Sequence, residues 1–371
     1  MTKFTRPLLT ASLLGLSLNA TALPFATYEA RSAGMGTTGV ASSNIASAPF
    51  TNPAMLAAQR FEDDFSLTAG LGVQAIDNEN LLDDIEDFSD AYDANDAAGM
   101  DAAASRANGK RLDVLGNGAL NVGFSAEKWA GAVSANRYIQ ANSGVRYDAA
   151  TNGLDSEIDL VGLEVTEVGV SLARQFGRLS IGVTPKSQSV TSYDSDSVLL
   201  RTIDDLGDLI DAATEEGEKD HGGSVNADIG LVYKLGEESR WQVGVVMRNI
   251  SEQTYTTSGN RTVKIEPQTR AGLAYNGDII TVAVDYDLQE NDPLVAGSDK
   301  TQMLAAGLEV DAFNTLKLRA GYIKNTADVT GPDDDLLSAG LGVNILGLQV
   351  DAAVMGNDNN LSGFVQMGVQ F

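Results

Sequence analysis

His221, in "EEGEKDHGG", is the single imidazole of the chain, and no cysteine accompanies it anywhere in 371 residues. One histidine can serve as a base or a metal ligand, but either site needs partners, and neither a second histidine nor a thiolate is available. The missing cysteines also remove disulfide scaffolds, thiol nucleophiles and redox motifs. His221 therefore reads as a solvated loop residue. "GMGTTG", at residues 34–39, invites comparison with a phosphate-cradling loop, yet it lacks a preceding strand, a following helix at the right spacing and a P-loop lysine. Asp333, Asp334, Asp335 and the acidic "DYDLQEND" offer oxygen ligands to a divalent cation. They lack the glycine and terminal glutamate of a calcium loop and read as a solvated acidic rim. No serine has a histidine to activate it, and no carboxylate pair stands at a readable spacing. The sequence nominates no catalytic residue, no metal site and no cofactor, so a non-enzyme is expected.

Chemistry being absent, pattern must carry the reading. The formal net charge is −26 and the pI about 4.2, which excludes nucleic acid as a partner, since phosphate neutralisation needs clustered Lys and Arg. "MTKFTRPLLTASLLGLSLNATALPF" has Lys3 and Arg6, an apolar run from Leu8 to Leu18, and small residues at Ala20-Thr21-Ala22. That is the layout of a secretory leader over 1–22. Its apolar run is well short of the ~20 residues that a transmembrane helix needs, and no later stretch is long enough either. A membrane form of this chain must therefore be a barrel.

From Phe65 onward, two-residue periodicity keeps returning. "FSLTAGLGVQA" sets Phe65, Leu67, Ala69, Leu71 and Val73 against Ser66, Thr68, Gly70, Gly72 and Gln74. About fourteen such segments follow one another: 65–75, 119–126, 130–139, 164–176, 179–190, 225–235, 241–250, 268–276, 279–288, 302–310, 315–324, 336–344, 346–355 and 362–371. Short and long connections alternate to the end, as in a barrel with tight turns on one side of a membrane and long loops on the other. The fold expected is all-β, a transmembrane antiparallel β-barrel over 64–371 with helical insertions in its outer loops. Trp129 and Trp241 sit at short turns with Phe124, Phe176, Tyr233 and Tyr275, while Tyr138, Tyr286 and Tyr322 fall near the other ends, as interfacial girdles would place them. Arg174, a cation on apolar parity, is a misfit unless it lies at the membrane interface or the register slips there. At the end of the chain, Val365, Met367, Val369 and Phe371 form one apolar face, expected to meet outer-membrane lipid. A final Phe after such alternation resembles the signal by which outer-membrane barrels are recognised by their insertion machinery.

The segment 23–63 shows no strand alternation and is too small for a core of its own. Its many Gly, Ala and Ser residues suit lodging inside the barrel, where small side chains permit close backbone approach. Within it, "ARSAGMGTTGVASSNIASAPFTNPAML" resembles the start of the FadL-like family of outer-membrane transporters, whose N-terminus forms a lumenal plug with an Asn-Pro-Ala motif, here Asn52, Pro53 and Ala54. More narrowly, Ala30-Arg31-Ser32 with Gly34-Met35-Gly36, "APFTNPAMLAAQ" and "ENLLDDIEDF" resemble the TraF-type conjugal transfer family, whose members are similar in length and expected to be barrels. The thioredoxin-like conjugation protein of the same name is another fold, excluded by the absence of cysteine.

The resemblance implies a plug that shifts for passage, with Arg31, Gly34, Gly36, Asn52, Pro53 and Ala54 as its plug and gating residues. It also implies a small hydrophobic molecule as cargo, taken up across the outer membrane of a Gram-negative-type envelope. Two long acidic loops carry apolar residues at helical spacing: Leu81, Leu82, Ile85 and Phe88 in the first, over the barrel mouth, and Leu199, Ile203, Leu206, Leu209 and Ile210 in the second. Such faces suit ordinary loop packing, or contact with a greasy ligand or a partner. The alternative function is a structural or interaction component of conjugal transfer, with conjugation components as partners.

Overall fold

A computed structural model describes residues 29–58, 64–77, 79–126, 128–203, 218–236, 238–256, 262–291, 300–313, 315–327, 335–357 and 360–371. The expected leader 1–22, Leu206, Leu209, Asp333 and Asp334 lie outside them, as do the side chain of His221 and the junction 59–63.

Among the described residues, sixteen strands follow three short helices, α1 (Ala30–Gly34), α2 (Ala48–Thr51) and α3 (Met55–Ala58). The first six are β1 (Phe65–Ile76), β2 (Arg111–Ala126), β3 (Trp129–Arg146), β4 (Glu157–Phe176), β5 (Leu179–Leu199) and β6 (Glu218–Leu235). Then come β7 (Trp241–Arg248), a small hairpin of β8 (Gln253–Thr256) and β9 (Thr262–Ile265), β10 (Gln268–Asn276) and β11 (Ile280–Asp287). The last five are β12 (Met303–Ala312), β13 (Leu316–Asn325), β14 (Leu336–Ile345), β15 (Leu348–Gly356) and β16 (Asn360–Gln370). All but β8 and β9 close into one antiparallel barrel of fourteen strands, with β7 beside β10 and β1 beside β16. The seam pairs Leu67 with Val369 and Leu71 with Val365, and the carbonyl of Phe371 accepts from the backbone of Asp64 and Phe65 at 3.0 and 2.8 Å. The terminal strand thus completes the sheet, and the Phe65 and Phe371 rings stack beneath it at 5.3 Å.

The barrel is inverted relative to a water-soluble core. Leu71, Val365 and Met367 are 66, 57 and 64% exposed, whereas Thr68 and Gln366, pointing the other way, are 6 and 5% exposed. An exterior of apolar side chains over a polar interior is the arrangement a barrel needs in hydrocarbon. Among the described residues no helix is long and apolar enough to cross a membrane. Arg174 is no misfit: its guanidinium lies 4.4 Å over the Trp129 ring and 4.8 Å over that of Phe176, at the short-turn rim. There a cation can rest on aromatic faces while reaching water. Trp241 and Tyr275 pack together nearby at 5.2 Å. Tyr138 departs from the girdle expected for it; its ring points inward and packs with Phe50 and Ala119.

Three further differences share one cause. Strands β2 to β6 run 16 to 21 residues, so much of the expected loops 140–163 and 191–224 is strand. A crossing takes only ~10 residues, and these strands continue beyond it as an upper wall. Alternation fades there because the exterior face changes neighbours: Arg137 pairs outside with Glu164 at 2.5 Å, above the band of exposed apolar side chains. Higher still, two helices cover the wall, α4 (Leu81–Asp93) and α5 (Ala97–Ala107). Asp77 caps α4 by accepting from the backbone N–H groups of Leu81 and Leu82 at 2.6 and 2.9 Å. Their buried faces join Leu112, Val145 and Ile158. Counting by twos down β2, β3 and β4, these three share a face with the exposed Leu120, Val133 and Val170; the β2–β3 and β3–β4 pairings run between them without a register shift, and the shift between Ile158 and Leu160 lies in the β4–β5 pairing. The helices therefore pack against the outside of the wall, a correction to their expected place over the mouth. The inner side carries the β8–β9 hairpin, which sequence reading passed over: Ile265 and Tyr255 pack on Leu163, Val165 and Val190. Finally, the β15–β16 connection, 357–359, is as short as the turns of the opposite side, so loop alternation stops one connection early.

Candidate functional site

The lumen is occupied by residues 29–58, whose small side chains let backbone lie on backbone. α1 starts at Glu29, which accepts from the N–H groups of Arg31 and Ser32 at 2.9 and 2.8 Å. Burial pushes the Glu29 carboxyl above its ordinary 4.5, against the opposing pull of Ser32 and Arg31. Opposite the plug stands a run of lumen-facing glycines, Gly182, Gly230, Gly244, Gly272, Gly307, Gly321 and Gly340, spread over seven strands. A Cβ at Gly321 would lie 2.1 Å from Gly36 N, and one at Gly230 would lie 1.8 Å from Asn52 Oδ1. Gly36 itself has φ +64 and faces the carbonyl of Ala306, so the position needs both left-handed backbone and no side chain. The Asn-Pro-Ala motif sits in this cradle. Asn52 donates to Val40 O at 2.7 Å and accepts from Ala54 N at 3.0 Å, and Pro53 and Ala54 rest against Gly182.

Polar side chains of the wall then satisfy the plug backbone, as buried N–H and C=O groups require. Asp285 accepts from Gly39 N and Val40 N at 2.8 and 3.0 Å. Ser338 accepts from Gly36 N at 3.0 Å and donates to Gly34 O at 3.1 Å. Asn121 donates to Ile45 O and Ala46 O, Asn276 to Ala41 O, and Gln366 accepts from Ala30 N.

One ionic chain ties plug to wall. Arg31 grips Glu309 with Nε at 3.0 Å and Nη2 at 2.9 Å, and its Nη1 donates to Ser42 O at 3.0 Å. Glu309 also receives Arg319 Nε at 2.7 Å, and Arg319 Nη1 reaches Asp351 at 2.6 Å. All four side chains are buried, and two-point Arg–carboxylate pairing gives geometry as well as energy. A second cluster lies beside Pro49 and Phe50: Lys186 bridges Glu167 and Asp228 at 2.9 Å each, and Arg248 closes on the same carboxylates. These carboxylates face cations across the lumen, which makes cross-links of them.

Of the residues nominated from sequence, Arg31, Gly34, Gly36, Asn52, Pro53 and Ala54 come together in the plug. Leu81, Ile85 and Phe88 lie far from it, buried beneath α4, with Leu82 at the edge of that cluster. Val365, Met367, Val369 and Phe371 share the exterior face of the last strand with the barrel's band of exposed apolar side chains. Sequence reading missed Glu309, Arg319, Asp351, Asp285, Glu167 and Lys186. Their signal was a charge on lumen parity, and it becomes readable only once register makes Glu309 and Arg319 direct partners. On the short-turn side the plug leaves a cavity of about 480 Å³, bounded by Arg31, Ser42, Ser43, Gln242, Asp311 and Lys317 among others.

The family described as "F plasmid transfer operon, TraF, protein" matches residues 49–287. No curated protein matches the sequence. Among solved structures, a Ralstonia pickettii toluene transporter, TbuX, aligns with TM-score 0.58 at 12% identity, over 92% of this chain and 97% of its own. A Pseudomonas aeruginosa FadL homologue gives 0.57 at 13% identity, over 95% and 99%. A deltaS2S3 mutant of the TodX monoaromatic hydrocarbon channel gives 0.60 at 12%, over 93% and 99%. At these identities the likeness is one of fold.

Proposed function

The chain belongs to the TraF family of the F plasmid transfer operon, on a FadL-like barrel, and from that premise we propose that it is a non-enzymatic outer-membrane protein for passive uptake of a small hydrophobic molecule. The observation that carries this reading is the plugged lumen: a barrel whose opening is filled by its own N-terminal segment is built to control passage. Structures of the same fold are named as toluene and monoaromatic hydrocarbon channels, which supports a hydrophobic cargo. In this reading the short turns face the periplasm and the upper wall faces outward, and the Arg31–Glu309 pair must open for cargo to pass. Proteoliposomes test it. Loosening the plug with Arg31→Gln should raise uptake of a toluene-like probe several-fold over the parent, and equal uptake would count against the plug as gate.

The family's plasmid transfer operon favours a second reading, an outer-membrane component of conjugation whose outer loops meet another component or cell. Removing α4–α5 and the acidic segment 204–217 should then lower mating frequency while leaving probe uptake intact.

A further inference from the structure

The rim of short turns divides into two arcs. The β2–β3, β4–β5 and β6–β7 turns are hydrophilic at their tips, where Lys128, Arg178 and Glu238 are exposed. The β10–β11, β12–β13 and β14–β15 turns and the chain end instead bring up Ile279, Phe313, Leu346 and Phe371, all exposed, Phe313 to 95% and Leu346 fully. Backbone bonds tie this second arc from hairpin to hairpin: Ile279 O accepts from Asp311 N at 2.7 Å, Thr315 O from Asn344 N at 2.8 Å and Gly347 O from Gln370 N at 2.8 Å. Phe313 and Leu346 also hold left-handed backbone, at φ +62 and +53, where a Cβ is disfavoured. Among the described residues, every other non-glycine position of that kind is Asn, Ser or Thr. The β4–β5 turn has the same two-residue length as the β14–β15 turn, and it uses Gly177 at the place that Leu346 fills.

Strand length supplies the reason for apolar tips on one arc alone. β11 to β15 have 8 to 10 residues, at or just under the ~9–11 that a tilted strand needs to cross hydrocarbon. β2 to β6, with 16 to 21, need nothing from their turns. On the hydrophilic arc Trp129 and Trp241 open their strands as girdle residues, and the charged tips lie beyond them. On the other arc Leu316, Ile345 and Leu348 hold those places, exposed, and Leu346 carries the apolar surface past the last strand pair. From Leu341 to Leu348 no charged residue interrupts it, and Asp278, beside Ile279, reaches Arg240 at 3.2 Å. An apolar tip that is costly in water is favourable where lipid covers it, and this one continues the surface that the strands present to lipid. We propose that the β10–β16 arc is a one-sided lipid anchor: Ile279, Phe313, Leu346 and Phe371 sit in the interfacial layer on the short-turn side while Lys128 and Arg178 stand in water, so the barrel axis is tilted in the bilayer. The anchor rests on the outer-membrane reading and goes beyond it.

The full chain in vesicles of phosphatidylcholine brominated near the head group tests the anchor, with bimane placed in turn on Phe313→Cys, Leu346→Cys, Lys128→Cys and Arg178→Cys. Quenching at 313 and 346 should exceed that at 128 and 178 by about threefold or more, the contrast between interfacial and aqueous positions. Phe313→Asn with Leu346→Asn suits the left-handed backbone, so the barrel should stay folded by heat-modifiable gel mobility while quenching of bimane on Ile279→Cys falls about twofold. Val365→Cys and Gln366→Cys, in vesicles brominated deeper in the chains, keep this test apart from the membrane reading: their contrast reports a barrel in lipid whatever the tips do. Equal quenching on the two arcs would overturn the one-sided anchor, as would unchanged quenching at 279 in the double Asn variant. Weak quenching at 313 and 346 beside an intact contrast on β16 would overturn lipid as the occupant and leave the arc to a protein of the short-turn side.

Discussion

Two non-strand segments lean on the same barrel from opposite sides, and they are held by opposite chemistry. The plug lies inside, with its backbone on glycines and its N–H and C=O groups matched one by one to Asp285, Ser338, Asn121 and Asn276. The α4–α5 pair lies outside on the upper wall, with Leu81, Ile85, Phe88 and Met100 packed on Leu112 and Ile158 like an ordinary core. The difference follows from what each face of the sheet must be lower down. A wall that is apolar outward for lipid is polar inward, so whatever fills the lumen must be satisfied by hydrogen bonds and ion pairs. Whatever packs outside continues the apolar face where lipid ends.

Breaking each attachment by its own chemistry tests the contrast. The largest effect is expected at Gly321→Val, whose side chain would meet the backbone of Met35 and Gly36 with nothing able to yield. The plug should lose its seat entirely, seen as rapid proteolysis near residues 29–58, while α4–α5 keeps its protection. Next, Glu309→Leu leaves Arg31 without its carboxylate and Arg319 with Asp351 alone. Stranding a buried cation costs about 3–5 kcal/mol, so hydrogen exchange over 29–58 should quicken by more than a hundredfold. Phe88→Ala costs a comparable ~3–4 kcal/mol but should quicken exchange in 81–107 only. A plug response to Phe88→Ala, or a helix response to Glu309→Leu, would show that the two attachments are not separate. Arg174→Ala is smaller, about 0.5–1 kcal/mol from the lost ring contact, and should lower the unfolding midpoint slightly without altering either segment.

The smallest effect is one of pH. The Glu29 carboxyl is raised by burial, so the stability it contributes is fully present below its ordinary 4.5 and is lost as pH rises through the folded value. Exchange protection of 29–35 should therefore weaken as pH climbs out of the carboxylate range, and Glu29→Gln should flatten that profile.

How much of this the sequence announced depends on distance along the chain. All fourteen barrel strands are visible as two-residue alternation, because the lipid band imposes one apolar face on each, as in Phe65 to Val73. The plug is visible in its Gly-rich composition and in Asn52-Pro53-Ala54. The upper wall is not, since Val145 and Ile158 exchange lipid for protein and charged residues such as Arg146 interrupt the pattern. Nor is the ionic chain, because Arg31, Glu309, Arg319 and Asp351 are brought together only by barrel closure. The side on which α4 packs was likewise hidden: Leu81, Ile85 and Phe88 declare an apolar helix face, and strand parity alone says that it lies outside.

Lipid, and not a protein interior, is the neighbour that the apolar series of each strand is built to meet. Because the chain has no cysteine, single cysteines can be placed at Val365, Met367 and Val369 and at Gln366, Gly368 and Gln370, each carrying a bimane probe in brominated-lipid vesicles. Strong quenching at the three odd positions and weak quenching at the three even ones is the result predicted. Uniform quenching along the strand, or stronger quenching at Gln366, Gly368 and Gln370, would contradict it.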